Sequence, residues 1–284
     1  MDAPIRRMIR NRIIVLCAVV FLSSYVFAGN TDFRRRAHQS ADLQNATTDD
    51  VQVEIQFGRS IAARILGRIN LSQDKRLNKY IGLVGQSLAR NSSRSEIQFH
   101  FAVLESDAVN AFSTPGGYVF ITRGAIDLMR DESELAAVLA HEIAHITERH
   151  IVKELNIRAS DTSATSGVAK ILGGGGNSLR VAFMQTVDKA VAMLFEKGYK
   201  MQDEIAADTV GITLLAQTGY SPSALISYML RVDSHLKNRK DQTHVTHPPT
   251  QERMRAVSDF IRSKDLTTVA FPRMKKRFQQ YVKR

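Results

Sequence analysis

The chain has 284 residues, of which 44% are hydrophobic and 24% charged, with one cysteine and no tryptophan. This ordinary globular usage excludes a disordered chain, a collagen-like repeat and a multi-span membrane protein. The net charge of +11 sits mostly at the ends, with four arginines in residues 1–28 and six Lys/Arg without an acid in residues 272–284. The body is nearly neutral, so a basic groove for nucleic acid is not expected.

The first element reads as an export signal, residues 1–28. Arg6, Arg7, Arg10 and Arg12 precede an uninterrupted apolar run at 13–22, and Val26-Phe27-Ala28 suits cleavage after Ala28. The run is shorter than the roughly 20 residues that span a bilayer, which favours a cleaved signal over an anchor. Periplasm is the expected compartment, with a membrane-anchored form facing the periplasm or a mitochondrial presequence as alternatives. Cys17 lies inside the signal, and a mature chain without cysteine suits an oxidising compartment. Residues 29–49 are polar and read as a flexible arm.

The main domain is expected over 50–264. Val51, Ile55, Ile61 and Leu66, then Leu77, Ile81, Val84 and Leu88, recur at helical spacing and predict two amphipathic helices. Residues 97–105 alternate as a strand, with Ile97, Phe99, Phe101 and Val103 on one face. Pro115-Gly116-Gly117 is a turn and Tyr118–Thr122 a second strand. Helices are predicted at 123–129, 132–154, 178–217, 221–237 and 250–263, with Gly173–Gly176 as a hinge. Residues 265–284 form a basic tail, read as a solvated end or a peripheral contact with an anionic membrane. The class is α+β, mostly α.

The chemistry is carried by His141-Glu142-Ile143-Ala144-His145. On a helix, residues four apart lie about 40° apart on one face, so both imidazoles reach one metal ion. Glu142 stands beside that pair. Zinc holds and acidifies a water, and a neighbouring carboxylate takes its proton and passes it to a leaving amine. A catalytic zinc needs a third protein ligand and an open position. Glu204 and Asp208, one helical turn apart, supply the candidates: Glu204 as ligand, Asp208 as the partner that orients a histidine. His150 reads as a surface-exposed or a helix-end residue.

Asn110-Ala111-Phe112 with Pro115-Gly116-Gly117, the His141–His145 motif, Glu204-x-x-x-Asp208, and Thr246-His247-Pro248-Pro249 with Arg253 follow one another in order. On these residues, over about 50–264, the chain resembles the zinc metallopeptidase family that includes HtpX and the CaaX prenyl protease. It looks most like the exported, soluble branch typified by BepA. The resemblance implies a gluzincin-type fold with a small sheet edging the active-site helix, and one zinc per chain. It implies endopeptidase activity on misfolded or stalled envelope proteins, so the expected partners are unfolded or misassembled substrates. BepA-like members carry a tail of helical repeats, and none is read after residue 264. The resemblance places His247 near the metal, either stabilising an oxyanion or capping the open position to keep the enzyme latent. It also makes Tyr118–Thr122 the strand whose edge pairs with substrate, with Gly116, Gly117, Tyr118 and Phe120 as contact residues. The alternative function is a chaperone or scaffold for outer-membrane protein assembly, with proteolysis latent.

Overall fold

The computed structural model describes residues 48–157, 177–238, 246–268 and 270–282. The expected signal, the arm up to residue 47 and Gly173–Gly176 lie outside the described residues. The two amphipathic segments form helices α1 (Thr48–Leu66) and α2 (Lys75–Ala89). Asp74 caps α2 by accepting from the Leu77 amide at 2.9 Å.

Three strands follow: β1 (His100–Leu104), β2 (Ala111–Thr114) and β3 (Tyr118–Thr122). Their order is β1-β3-β2, with β3 parallel to β1 and antiparallel to β2. Strand β2 is too short, at four residues, to stand out by alternation. The turn between β2 and β3 holds Gly116 and Gly117 at φ +77° and +101°, the left-handed region that favours glycine.

Helix α3 (Arg123–Asp127) leads into α4 (Glu132–Thr147), which is buried along its whole length. Asp131 accepts from the Glu134 amide at 3.1 Å and opens the helix. Its alanines, Ala136, Ala137, Ala140 and Ala144, let neighbours approach closely. The expected single helix 132–154 breaks after Thr147. Arg149 adopts φ 58°, ψ 36°, and the chain restarts as α5 (His150–Glu154) in a new direction.

The expected helix 178–217 also divides. Helix α6 (Asn177–Ala192) ends in a wider π turn at Met193–Lys197, and α7 runs from Met201 to Thr218. Gly198 causes the break: its φ is +70°, and an added Cβ would stand 2.4 Å from the Thr246 carbonyl oxygen. Helix α7 then packs along α4, where Gly211 faces the backbone of Ala140 and His141.

Helix α8 (Ala224–Lys237) packs on α4, and α9 (Gln251–Ser263) packs on α7 and α8. The basic tail differs from expectation. Residues 275–282 form helix α10, whose Phe278 and Val282 join the main core. Arg273 pairs with Asp131 at 2.8 Å and Glu134 at 3.1 Å, and Arg277 pairs with buried Glu132. Tyr281 stacks on Tyr80 at 4.4 Å. The first turn of α4 is acidic, so it captures Arg273 and Arg277, while Lys275 and Lys276 stay exposed. Among the described residues, no helix is long and apolar enough to cross a membrane.

Candidate metal centre

Helix α4 carries His141 and His145 one turn apart, and their Nε2 atoms meet at 3.0 Å. Glu204 enters from the first turn of α7. Its carboxylate lies 3.5 Å from His141 Nε2 and 3.6 Å from His145 Nε2. His247 comes from the loop before α9, with Nδ1 at 2.8 Å from Glu204 Oε1 and 3.3 Å from His141 Nε2. One donor atom from each of these four residues falls within 4.8 Å of the other three.

The donor set fits zinc. Zn–N bonds of about 2.0–2.1 Å in a tetrahedron imply ligand atoms about 3.3 Å apart, and the distances above bracket that value. The chemistry agrees: two imidazoles and a carboxylate are the ligand set of hydrolytic zinc sites, with one further position available.

Supporting contacts fix the donor directions. Asp208 Oδ1 stands 2.9 Å from His141 Nδ1, a carboxylate beside that nitrogen that favours its protonation and leaves Nε2 toward the centre. Burial pulls His141 down, but Asp208 and Glu204 outweigh it and hold the ring at about 9. Burial, reinforced by the neighbouring His141, holds His145 neutral. Its Nδ1 meets His150 Nδ1 at 2.8 Å. With His145 Nε2 facing the metal, His145 Nδ1 donates and His150 accepts. Burial holds His150 down at about 4, in keeping with a neutral acceptor.

His150 is thus buried against a ligand, not exposed at a helix end as its position implied. The left-handed Arg149 swings it back, and no spacing rule reveals that. Tyr199 was missed as well. It follows Gly198, stacks on the His145 ring at 4.1 Å and is partly buried. Burial, then the nearby Glu142 and Glu204, push its phenol well above the ordinary range.

Arg253, named in the sequence motif without a role, acquires one here. It grips Asp208 through Nε and Nη2 at 2.9 and 2.8 Å, Glu204 Oε2 through Nη1 at 2.7 Å, and the Pro248 carbonyl at 3.0 Å. Burial alone would raise both acids, but Arg253 holds Asp208 ionised, and His247 and His141 do the same for Glu204. A sequence signal existed, because Arg253 falls on the same face of α9 as buried Val257 and Ile261.

Glu142 is 1% exposed, with Oε1 at 3.6 Å from His247 Nε2. Its Oε2 is buried without a hydrogen-bond partner among the described residues. A carboxylate held free beside the donor cluster is available for proton transfer. Asn110 anchors the His247 loop by accepting from Thr246 Oγ1 at 3.1 Å.

The expected substrate strand is corrected. Tyr118–Thr122 is the central strand, paired on both sides, so it has no free edge for a substrate. Gly116 and Gly117 do admit a close backbone, but it is the chain's own: added Cβ atoms would meet Ile55 Cα at 2.6 Å and the Gln98 carbonyl oxygen at 2.3 Å. Phe120 is buried within the fold, and Tyr118 is half-buried. Among the described strands the edges are β1 and β2, and it is β2 that packs beside α4.

Similarity to known proteins agrees with this geometry. The chain is 26% identical over 260 residues to the beta-barrel assembly-enhancing protease of Escherichia coli K12, covering 88% of this chain and 52% of that protein. It is 27% identical over 224 residues to the E. coli metalloprotease YcaL, covering 77% and 83%. It is also 27% identical over 186 residues to the mitochondrial metalloendopeptidase OMA1 of Schizosaccharomyces pombe, covering 64% and 52%. The chain spans about half the length of the beta-barrel assembly-enhancing protease it matches. Residues 75–261 match the profile of peptidase family M48, and that segment holds His141, Glu142, His145, Glu204 and His247. The chain therefore belongs to peptidase family M48, the metalloendopeptidase family whose zinc-site pattern it carries.

Proposed function

We propose that this chain is a periplasmic zinc endopeptidase for unfolded or misassembled envelope proteins, with one zinc per chain and a resting site closed by His247. The observation that carries the reading is the convergence of His141, His145 and Glu204 around one point, with Glu142 free beside them. The relatives named for enhancing beta-barrel assembly support an envelope substrate.

His141, His145 and Glu204 would hold the ion, with Asp208, His150 and Arg253 fixing their directions. Zinc, when bound, lowers the pKa of a ligated water to about 7 and polarises the scissile carbonyl. Glu142 would take a proton from the water whose oxygen bonds to the peptide carbonyl carbon, and would give it to the amine nitrogen as the C–N bond breaks. An extended substrate would pair with the outer edge of β2, which has no strand partner among the described residues and packs beside α4.

His247 has two candidate roles. Its Nδ1 lies among the ligand atoms, which favours a cap on the fourth position over a donor to an oxyanion. That placement also keeps alive the second reading, a mainly chaperone or scaffold role with proteolysis held latent. The tests are direct. Metal analysis should give one zinc in the wild type, a sharp loss in Glu204→Gln and little change in Glu142→Gln. Casein cleavage should vanish in Glu142→Gln and rise, with self-cleavage, in His247→Ala. Full zinc retention by Glu204→Gln would refute the ligand assignment. A loss of about 10²–10³-fold in His247→Ala, without self-cleavage, would leave His247 the oxyanion role alone.

A further inference from the structure

Glu142 Oε2, His247 Nε2 and Tyr199 Oη are each buried without a hydrogen-bond partner among the described residues. Buried polar atoms are nearly always paired, so each of these calls for an explanation. Proton transfer accounts for Glu142, and a cap on the fourth position accounts for His247. Tyr199 has no role yet. We infer that Tyr199 is a catalytic residue whose hydroxyl donates a hydrogen bond to the oxyanion formed when water adds to the scissile carbonyl. The inference rests on the endopeptidase reading above and adds a residue to its machinery.

Position comes first. Tyr199 stands five residues before Glu204, between the π turn and α7. Gly198, at φ +70° and against the Thr246 carbonyl, turns the chain just before it. The Tyr199 ring lies over the His145 ring, with centroids 4.1 Å apart and planes 20° apart. Its centroid is 5.6 Å from that of His247. Among the carboxylates, Glu142 acts on the hydroxyl most strongly, ahead of Glu204 and Asp203. The hydroxyl therefore lies on the Glu142 side, where the scissile bond must sit for proton transfer.

Chemistry comes second. As the water oxygen bonds to the carbonyl carbon, the C=O π pair moves onto the carbonyl oxygen. Tyr199 donates to that oxygen and keeps its own proton, because a phenol is protonated throughout the neutral range. As the C–N bond breaks, the pair returns to the carbonyl and the nitrogen takes the proton held by Glu142. A donor fixed in a dry site stabilises such charge far better than water does. His247 cannot supply it under the latent reading, because a cap has to leave the centre before substrate enters. Ser113 Oγ is also buried and unpaired, and it shares with Tyr199 a cavity of about 10 Å³, room for about one water. A water trapped there is the rival partner for the hydroxyl.

Tyr199→Phe removes only the oxygen, keeps the ring on His145 and leaves no new unpaired group. The test uses full-length zinc-loaded protein and a fluorogenic casein peptide. Expected is a fall in kcat of about 10²–10³-fold, the scale for removing one such donor, with KM nearly unchanged. Zinc content and urea denaturation should match the wild type. The second arm needs no turnover. A phosphinic peptide of the same sequence mimics the tetrahedral oxyanion, and its affinity should fall by the same factor as kcat/KM. The intact peptide should bind Glu142→Gln equally well with and without Tyr199→Phe. Both the kinetic and the phosphinic measurements are repeated in His247→Ala, where the losses should be as large. A kcat near the wild-type value, a loss of zinc in Tyr199→Phe, or equal losses for the phosphinic and intact peptides overturns the role. A small stability loss shared by Tyr199→Phe and Ser113→Ala, with the kcat of Tyr199→Phe intact, assigns the hydroxyl to the trapped water instead. Absence of cleavage by both the wild type and His247→Ala overturns the endopeptidase reading, and the phosphinic arm then still supports or refutes the donor.

Discussion

Arg253→Met should be among the most damaging single changes in the molecule. Methionine keeps the unbranched stem as far as the Nε position and much of the volume, so the cavity created is small and the loss is mainly electrostatic. Arg253 spans both acids of α7, with Asp208 held by two hydrogen bonds and Glu204 by a third contact at 2.7 Å. The side chains of Arg253, Glu204 and Asp208 are only 3%, 2% and 1% exposed, so solvent screening offers no relief. Removing one partner of such a buried set costs about 3–5 kcal/mol, because carboxylates are left buried and unpaired. At 1.4 kcal/mol per factor of ten, the folding equilibrium should fall by at least about 100-fold. Urea denaturation of zinc-free protein measures this directly. Asp208→Asn combined with Arg253→Met should cost less than the sum of the two single changes, since the neutral amide no longer needs the cation. A loss below about 1 kcal/mol, or strict additivity in the double variant, would refute the buried-clamp argument.

Three further outcomes follow from other parts of the structure. His150→Ala should weaken zinc binding about 10–100-fold, measured by competition with a chelator, because His145 loses the acceptor that orients it; unchanged affinity would return His150 to a packing role. Truncation after residue 271 should lower thermal stability and leave vesicle binding unchanged, because Phe278 and Val282 are buried and Arg273 and Arg277 are paired within the protein; a truncated chain that melts normally but no longer sediments with anionic vesicles would reverse this. Burial pushes Glu132 up, but Arg277, Tyr220 and Tyr80 outweigh it and hold the carboxyl below its ordinary 4.5. Its contribution is therefore present above about pH 4.5 and lost as pH falls through the lowered value. Glu132→Gln should flatten that acid limb of the stability profile, and an unchanged limb would show that the carboxylate does not contribute.

Local pattern carried much of the functional reading. The i, i+4 spacing of His141 and His145, and of Glu204 and Asp208, is fixed by the helix period, so each pair faces one way wherever its helix packs. The amphipathic stripes of α1 and α2 and the turn at Pro115–Gly117 are equally local. Other features depended on long-range packing. Strand β3 is central because β1, some 18 residues earlier in register, pairs with its far side; the alternation within a strand records which face is buried, not which edges are taken. The breaks at Arg149 and Gly198 are single backbone angles, and they bring His150 and Tyr199 onto His145. The six basic residues near the end read as a solvated tail because sequence shows charge without its partners. The acids that bind Arg273 and Arg277 lie about 140 residues earlier, at the first turn of α4. Helical spacing determined which side chains could share a metal ion; the packing of α7 and α10 on α4, and of α9 on α7, decided which charges meet, because distant parts of the chain become neighbours only once the core has formed.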